Sequence, residues 1–266
     1  KVNGKLRDLP GTKILKCNDC GLVFLENFDH ITRSFYQESN MHSDPMGKRE
    51  FIEHEMDDNR RFEYCKPLIY NKKLLDCGCG DSTFLLKSKA VAKIAHGLEP
   101  DLTKQEKYQQ LGLKIFTEIG NITDRYDVIT LFHVMEHLPD PICFLNKLKQ
   151  YLSENGKMII EVPNANEALL TMYKNPGFSN FYWSCHLFLF TPYTLEMILQ
   201  KAGFHIHYIQ QVQRYPLSNH LYWLAHNNPG GHIQWHFIDT PELNAEYERT
   251  LSRLGICDTL IALISI

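Results

Sequence analysis

The chain has 266 residues, 44% of them hydrophobic and 22% charged, long enough for one sizeable domain with an appendage and ordinary in its globular composition. That balance excludes a disordered, collagen-like or coiled-coil chain, and a formal net charge of -3 argues against nucleic acid as a partner. No apolar run reaches about 18 residues and residues 1–8 lack the apolar centre of a secretion signal, so no membrane span and a cytoplasmic location are expected.

Eight cysteines are scattered without the density of a secreted disulfide scaffold and read as reduced thiols. Cys17-Asn-Asp-Cys20 is half of a zinc knuckle. Structural zinc takes four ligands, and residues 1–16 hold neither Cys nor His, so no zinc is expected at Cys17 and Cys20 in this chain. Residues 1–48 are expected to form a small N-terminal appendage, polar and turn-rich apart from a strand-like piece at 22–25. Apolar residues recur at helical spacing over 50–70.

Strands are then predicted at 73–77, 93–98, 113–116, 126–131 and 157–162, with helices at 82–87, 102–111 and 141–152 between them. Such alternation implies an α/β fold with a parallel sheet covered on both faces. Ligands bind such sheets at the carboxyl ends of the strands, which places the chemistry after Cys77, Leu98, Leu131 and Val162. Residues 164–186 are aromatic and irregular. A helix is predicted at 191–202, with Thr191 as N-cap, Pro192 in the first turn and Gly203 past the end. A strand at 204–212, a long loop at 214–232 and a final strand at 233–238 follow. The main domain is thus expected over 49–240, with acceptor-binding insertions near 164–190 and 213–232. Residues 241–266 are expected to form a C-terminal helix that packs on the domain or on a second subunit of a homodimer.

The sharpest motif is Leu74-Leu75-Asp76-Cys77-Gly78-Cys79-Gly80-Asp81-Ser82-Thr83. A strand ending in an acid and passing through Gly78 and Gly80 into a helix lets backbone approach a ligand closely. A dinucleotide site prefers a third glycine where Thr83 stands, which weighs against an NAD-dependent oxidoreductase. The alternative is a compact, phosphate-free ligand whose ribose hydroxyls are held by an acid at the end of the next strand. Glu99, 19 residues after Gly80, stands there.

At these residues the sequence resembles the class I S-adenosylmethionine-dependent methyltransferases. The likeness runs over about residues 50–240 through 74–82, Gly97-Leu98-Glu99-Pro100, Tyr126-Asp127-Val128-Ile129, the 133–141 run His-Val-Met-Glu-His-Leu-Pro-Asp-Pro, and His186-Leu187-Phe188-Leu189-Phe190-Thr191. It looks most like a bacterial branch in which a Cys-pair knuckle precedes the domain, often encoded with enzymes that tailor surface polysaccharides such as capsule. Ser82 departs from that pattern at its third glycine. The resemblance implies a Rossmann-like, mostly parallel seven-stranded sheet with an antiparallel last strand. It also implies a cofactor, S-adenosylmethionine, released as S-adenosylhomocysteine. Asp76, Gly78 and Gly80 would line the methionine side, Glu99 with Pro100 the ribose, Asn121 the adenine edge, and Phe132 with His133 would close over the methionine part.

A sugar hydroxyl needs a base, whereas a phosphate or phosphoramidate oxygen needs a cation instead. His186, after the aromatic segment, is the leading acceptor-side base. His133 reads equally as a base or as a structural histidine bonding the neighbouring loop. His137, four residues on, reads as a base, a metal ligand or part of a capping network with Glu136. Tyr182, Trp183, Arg214, Tyr215, Asn219 and His220 have the composition of a saccharide wall, with Arg214 available to a phosphate. Expected acceptors are a nucleotide-linked sugar or another polysaccharide precursor. A quinone-like small molecule is the alternative, and a noncatalytic nucleotide-binding module stays open.

Overall fold

A computed structural model describes residues 2, 4–32, 34–38 and 47–266, with side chains from residue 55 onward in the last segment. Part of the expected appendage, including residues 39–46, lies outside the described residues. Two short strands, β1 (Ile14–Lys16) and β2 (Val23–Leu25), precede a helical turn, α1 (Phe35–Glu38), and the long helix α2 (Gly47–Ile69). The alternating part comprises β3 (Lys73–Cys77), α3 (Thr83–Lys89), β4 (Ile94–Leu98), α4 (Gln105–Gln110), β5 (Lys114–Phe116), β6 (Tyr126–Phe132), α5 (Pro141–Leu148) and β7 (Leu152–Pro163). Short helices α6 (Ala168–Thr171) and α7 (Pro176–Ser179) lead to β8 (Phe188–Leu189), α8 (Pro192–Lys201) and β9 (His205–Val212). Three helices, α9 (Leu217–His226), α10 (Gly231–Gln234) and α11 (Pro241–Leu254), and a last strand, β10 (Thr259–Ser265), complete the chain.

The main sheet has seven strands in the order β5-β4-β3-β6-β7-β10-β9. β5, β4, β3, β6 and β7 run parallel to one another, and β10 is antiparallel to both β7 and β9, the Rossmann-like arrangement expected. The strands read as unbroken apolar runs because both faces are covered. Leu74, Val128 and Ile159 pack with Ile69 and Phe84 on one face, while Leu75, Ile129 and Ile160 pack with Leu145 and Leu199 on the other. The period of two along each strand makes that division. α8 begins as predicted: the Thr191 side chain accepts from Thr194 N, and Thr194 returns a bond to the Thr191 backbone, a reciprocal cap.

Three expectations are corrected. The helix expected over 241–266 ends at Leu254, where Gly255 takes a left-handed φ of 74°, and residues 259–265 become β10. Buried between two strands, its Leu-Ile-Ala-Leu-Ile run has no polar face, and an apolar run without alternation does not separate strand from buried helix. This segment is consumed inside the sheet, not held for a second subunit. The expected final strand at 233–238 is instead α10 and a 3-10 turn, His236–Ile238. The expected loop at 214–232 contains α9, whose buried face carries Ser218, Asn219 and His220 beside Trp223; these polar residues hide the amphipathic signal.

The N-terminal hairpin is stitched to the main domain. β1, β2 and β8 form a second small sheet, and Leu6, Ile14, Val23 and Leu25 share a core with Leu187 and Leu189. Cys17 closes the hairpin turn, accepting from Gly21 N at 3.0 Å. Among the described residues no helix is long and apolar enough to cross a membrane.

Candidate active site

The parallel strands end around one cavity of about 1140 Å³. Sites for a single small ligand usually span about 300–1,000 Å³, and this cavity exceeds that range.

The first half is built on the β3–α3 turn. Gly78 and Gly80 take φ of 73° and 46°, and a Cβ on Gly78 would sit 2.5 Å from Val134 Cγ2, so only glycine fits. Ser82 also takes positive φ, 65°, and its hydroxyl donates to the Asp81 carbonyl at 2.6 Å, a local bond that offsets the strain of a non-glycine there. Glu99, just past β4, accepts from Gly80 N at 2.9 Å and Asp101 N at 3.1 Å, which ties the second strand end to the glycine turn. Burial raises its pKa. Asp76 is 3% exposed and accepts from the Thr130 hydroxyl at 2.7 Å. Burial pushes it up to about 7, so a cationic group brought beside it would draw it back to the carboxylate.

The second layer is ionic. Glu161, fully buried in β7, accepts from Arg61 at 2.7 Å and from Arg60 at 2.9 Å. Burial opposes its charge, but Arg61, His133 and Arg60 more than offset this and hold it well below the usual carboxylate range. Arg61 also bonds Asp58 at 3.1 Å, and its guanidinium lies 5.0 Å from the centre of the Phe132 ring. His133 sits in the left-handed region at φ 54°, with Nδ1 2.9 Å from Glu136, and Nε2 3.0 Å from Arg214 Nη1 and 3.2 Å from Glu161. Both ring nitrogens are engaged, which favours the structural reading of this histidine. Arg214 is clamped on Asp57 through Nε at 3.0 and 2.9 Å, so the guanidinium expected to serve a phosphate is already paired.

The remaining half of the cavity is aromatic. Tyr182 and Trp183 line it as expected, with Phe181, Trp223, Tyr215, Asn219 and His220. The Asn219 amide oxygen meets His232 at 3.2 Å and His220 bonds the Tyr247 hydroxyl at 2.6 Å. His137 Nδ1 bonds the Cys185 carbonyl at 2.9 Å, and the His186 ring centre lies 4.9 Å from that of His137. Burial, aided by His137, lowers the pKa of His186 to about 3, which leaves it neutral and weakly basic. Of the expected site residues one falls outside the cavity. Asn121 ends an exposed 3-10 turn, and Thr117 and Ile119 line the wall where an adenine edge was expected.

Sequence reasoning missed the cavity residues Arg7, Asp57, Arg61, Glu167 and Asp258. One signal was present for Asp57 and Arg61: Asp57-Asp58 stands one helical turn before Arg60-Arg61. Glu167 caps α6, accepting from Leu170 N at 3.0 Å, and burial with Asp258 nearby pushes it up to about 8. Arg7 lies 4.7 Å from the Phe181 ring centre and 4.6 Å from that of Trp183, with no carboxylate partner among the described residues.

Residues 49–209 match a family described as Methyltransferase domain. Similar curated proteins include the ubiquinone biosynthesis O-methyltransferases of Glaesserella parasuis serovar 5, 28% identical over 36% of this chain and 47% of that protein, and of Histophilus somni, 26% identical over 53% and 63%. The chain thus spans about half the length of the curated relatives it matches. Among solved structures the fold is similar to a SAM-dependent methyltransferase from Archaeoglobus fulgidus, with TM-score 0.53 and 18% identity over 83% of this chain and 99% of that one. It is also similar to magnesium protoporphyrin IX methyltransferase from Synechocystis with bound SAH, with TM-score 0.51 and 12% identity over 87% and 91%. At such identities the likeness is one of fold.

S-adenosylmethionine carries an ammonium, a carboxylate and ribose hydroxyls, and the carboxyls of Asp76 and Glu99 stand beside the glycine turn on the cavity wall, with Arg61 of α2 lining the same wall. With a domain match spanning more than half its length, and this turn at the strand ends, the chain belongs to the methyltransferase-domain family, with a donor half that fits S-adenosylmethionine.

Proposed function

We propose that the protein transfers a methyl group from S-adenosylmethionine to a hydroxyl of a nucleotide-linked saccharide, a precursor of surface polysaccharide. Bound donor supplies a methyl group on a sulfonium, an electrophile that needs no covalent intermediate with the protein. The protein's own task is to bring the acceptor oxygen into line with that methyl and to take its proton.

The observation that carries the reading is Arg7, stacked between Phe181 and Trp183 at the wall of the acceptor half and free of any carboxylate among the described residues. Aromatic faces suit a sugar ring, and a guanidinium suits the diphosphate that links a sugar to its nucleoside. Arg7→Met is expected to raise KM for a nucleotide sugar about 10-fold or more, the worth of a hydrogen bond to a charged group, and to leave SAH affinity unchanged.

Glu167 is the proton acceptor in this reading, being buried, on the cavity wall and carrying a proton affinity suited to neutral pH. A carboxyl raised to about 8 becomes the base only as pH rises, so turnover should climb through pH 8. Glu167→Gln should lower kcat about 10²–10⁴-fold and flatten that climb.

A second reading has support in the relatives' names, a quinol-type phenol as acceptor. Purified protein incubated with S-adenosylmethionine and either a panel of nucleotide sugars or a catechol decides between them. SAH release with a mass gain of one methylene on the sugar nucleotide supports the first reading; methylation of the catechol alone replaces it with the second.

A further inference from the structure

Behind the acceptor wall three metal-ligating side chains converge from two backbone segments. The 3-10 turn Met135–His137 and the segment before β8 are joined by Leu187 N donating to the Glu136 carbonyl at 2.7 Å. That join brings His137, Cys185 and His186 together, with one ligand atom from each lying within 4.8 Å of the others.

Each of the three is prepared for a metal. His137 donates Nδ1–H to the Cys185 carbonyl, which fixes its tautomer and leaves Nε2 with a lone pair, the arrangement metal-bound imidazoles commonly show. The His186 ring has ring neighbours, His137 and Trp183, but no hydrogen-bond partner among the described residues. The Cys185 thiol is buried behind them. Two imidazoles on one tetrahedral ion with bonds of about 2 Å have ring centres about 5 Å apart, and these lie 4.9 Å apart at an interplanar angle of 68°.

An independent feature points the same way. Glu136 is fully buried; one carboxylate oxygen bonds His133, and the other, Oε2, has no partner. Its charge acts on both His137 and His186. A buried carboxylate oxygen without a donor is costly, and a cation at the adjacent ligands would supply the missing positive charge.

We propose that His137, Cys185 and His186 form a binding site for one zinc-class divalent ion in the wall of the cavity. A thiolate with two imidazoles selects zinc over magnesium or calcium, which take oxygen ligands. Coordination converts the Cys185 thiol to thiolate and releases its proton to solvent. Because His137 and His186 line the cavity and Cys185 does not, the fourth position opens towards the acceptor.

The test uses the full chain with Cys17→Ser and Cys20→Ser, which removes the hairpin thiols as competing ligands. Purified protein is stripped with a chelator and titrated with Zn(II), and in parallel with Co(II) followed by absorbance. Expected are one zinc bound per chain, a thiolate-to-cobalt charge-transfer band, and zinc binding weaker by about 100-fold or more in Cys185→Ser and in His186→Ala. A thermal shift with SAH verifies that each variant is folded. The proposal is overturned if the Cys17/Cys20 double variant binds no stoichiometric zinc, if cobalt gives no thiolate band, or if folded Cys185→Ser binds zinc as tightly as its parent. None of these readouts involves turnover, so the acceptor assignment stands or falls separately.

Discussion

Glu161→Ala is expected to lower the free energy of unfolding by about 3–5 kcal/mol, the cost of leaving buried charges without their partner. The carboxylate is wholly buried, and Arg61 and Arg60 converge on it from α2 while His133 reaches it from the end of β6. Removing it strands an Arg61 that is itself nearly buried, with Asp58 in contact and Asp57 nearby as the carboxylates left to balance it. A urea titration measures the loss. Glu161→Met combined with Arg61→Met should recover much of it, because a buried pair replaced by apolar side chains of similar volume is often close to neutral. The double variant is also expected to bind S-adenosylmethionine less tightly, because Arg61 lines the cavity beside Asp76 and Phe132. A loss under about 1 kcal/mol for Glu161→Ala would mean that the cluster is solvated and that α2 is held to the sheet by apolar contacts alone.

Glu99→Ala is expected to weaken binding of SAH about 100-fold or more. Two hydrogen bonds from ribose hydroxyls to a charged acceptor are worth roughly 1.5–3 kcal/mol each, and each 1.4 kcal/mol is tenfold in affinity. The same carboxylate fixes the Gly80 and Asp101 amides, so its removal also loosens the turn against which the donor lies. Glu99→Gln retains one acceptor oxygen and should fall between the two. Calorimetric titration with SAH reads both variants directly. A dissociation constant within about threefold of the parent would remove Glu99 from the cofactor site.

The sequence carried the donor half of this site far better than the acceptor half. Strand 73–77, Gly78, Gly80 and Glu99 are local features: an apolar run, backbone angles that favour glycine, and an acid at the next strand end. Each was placed from its immediate neighbours, and Asp76 at the end of that strand, Gly78, Gly80 and Glu99 line the cavity. Arg214 shows the opposite case. Its aromatic, polar surroundings suggested a free phosphate ligand, yet its partner is Asp57, 157 positions away on α2. A pairing over that separation leaves no trace in either local stretch. The same holds for Arg7, whose segment is held at the acceptor wall by the Leu6–Tyr182 bridge and by Arg7 N donating to the Tyr182 carbonyl at 2.8 Å.

By itself, then, the amino-acid sequence determined the parallel half of the sheet, the glycine turn and the acid that faces it, because burial on both faces and positive φ act residue by residue. Only the tertiary structure decided that 259–265 is a central strand and not the end of a helix, that Glu161 is the hub of an ionic cluster, and that Glu167 is a carboxyl with a proton affinity near neutral. These depend on which distant segments exclude water from a side chain, and desolvation and long-range pairing are properties of the packed chain.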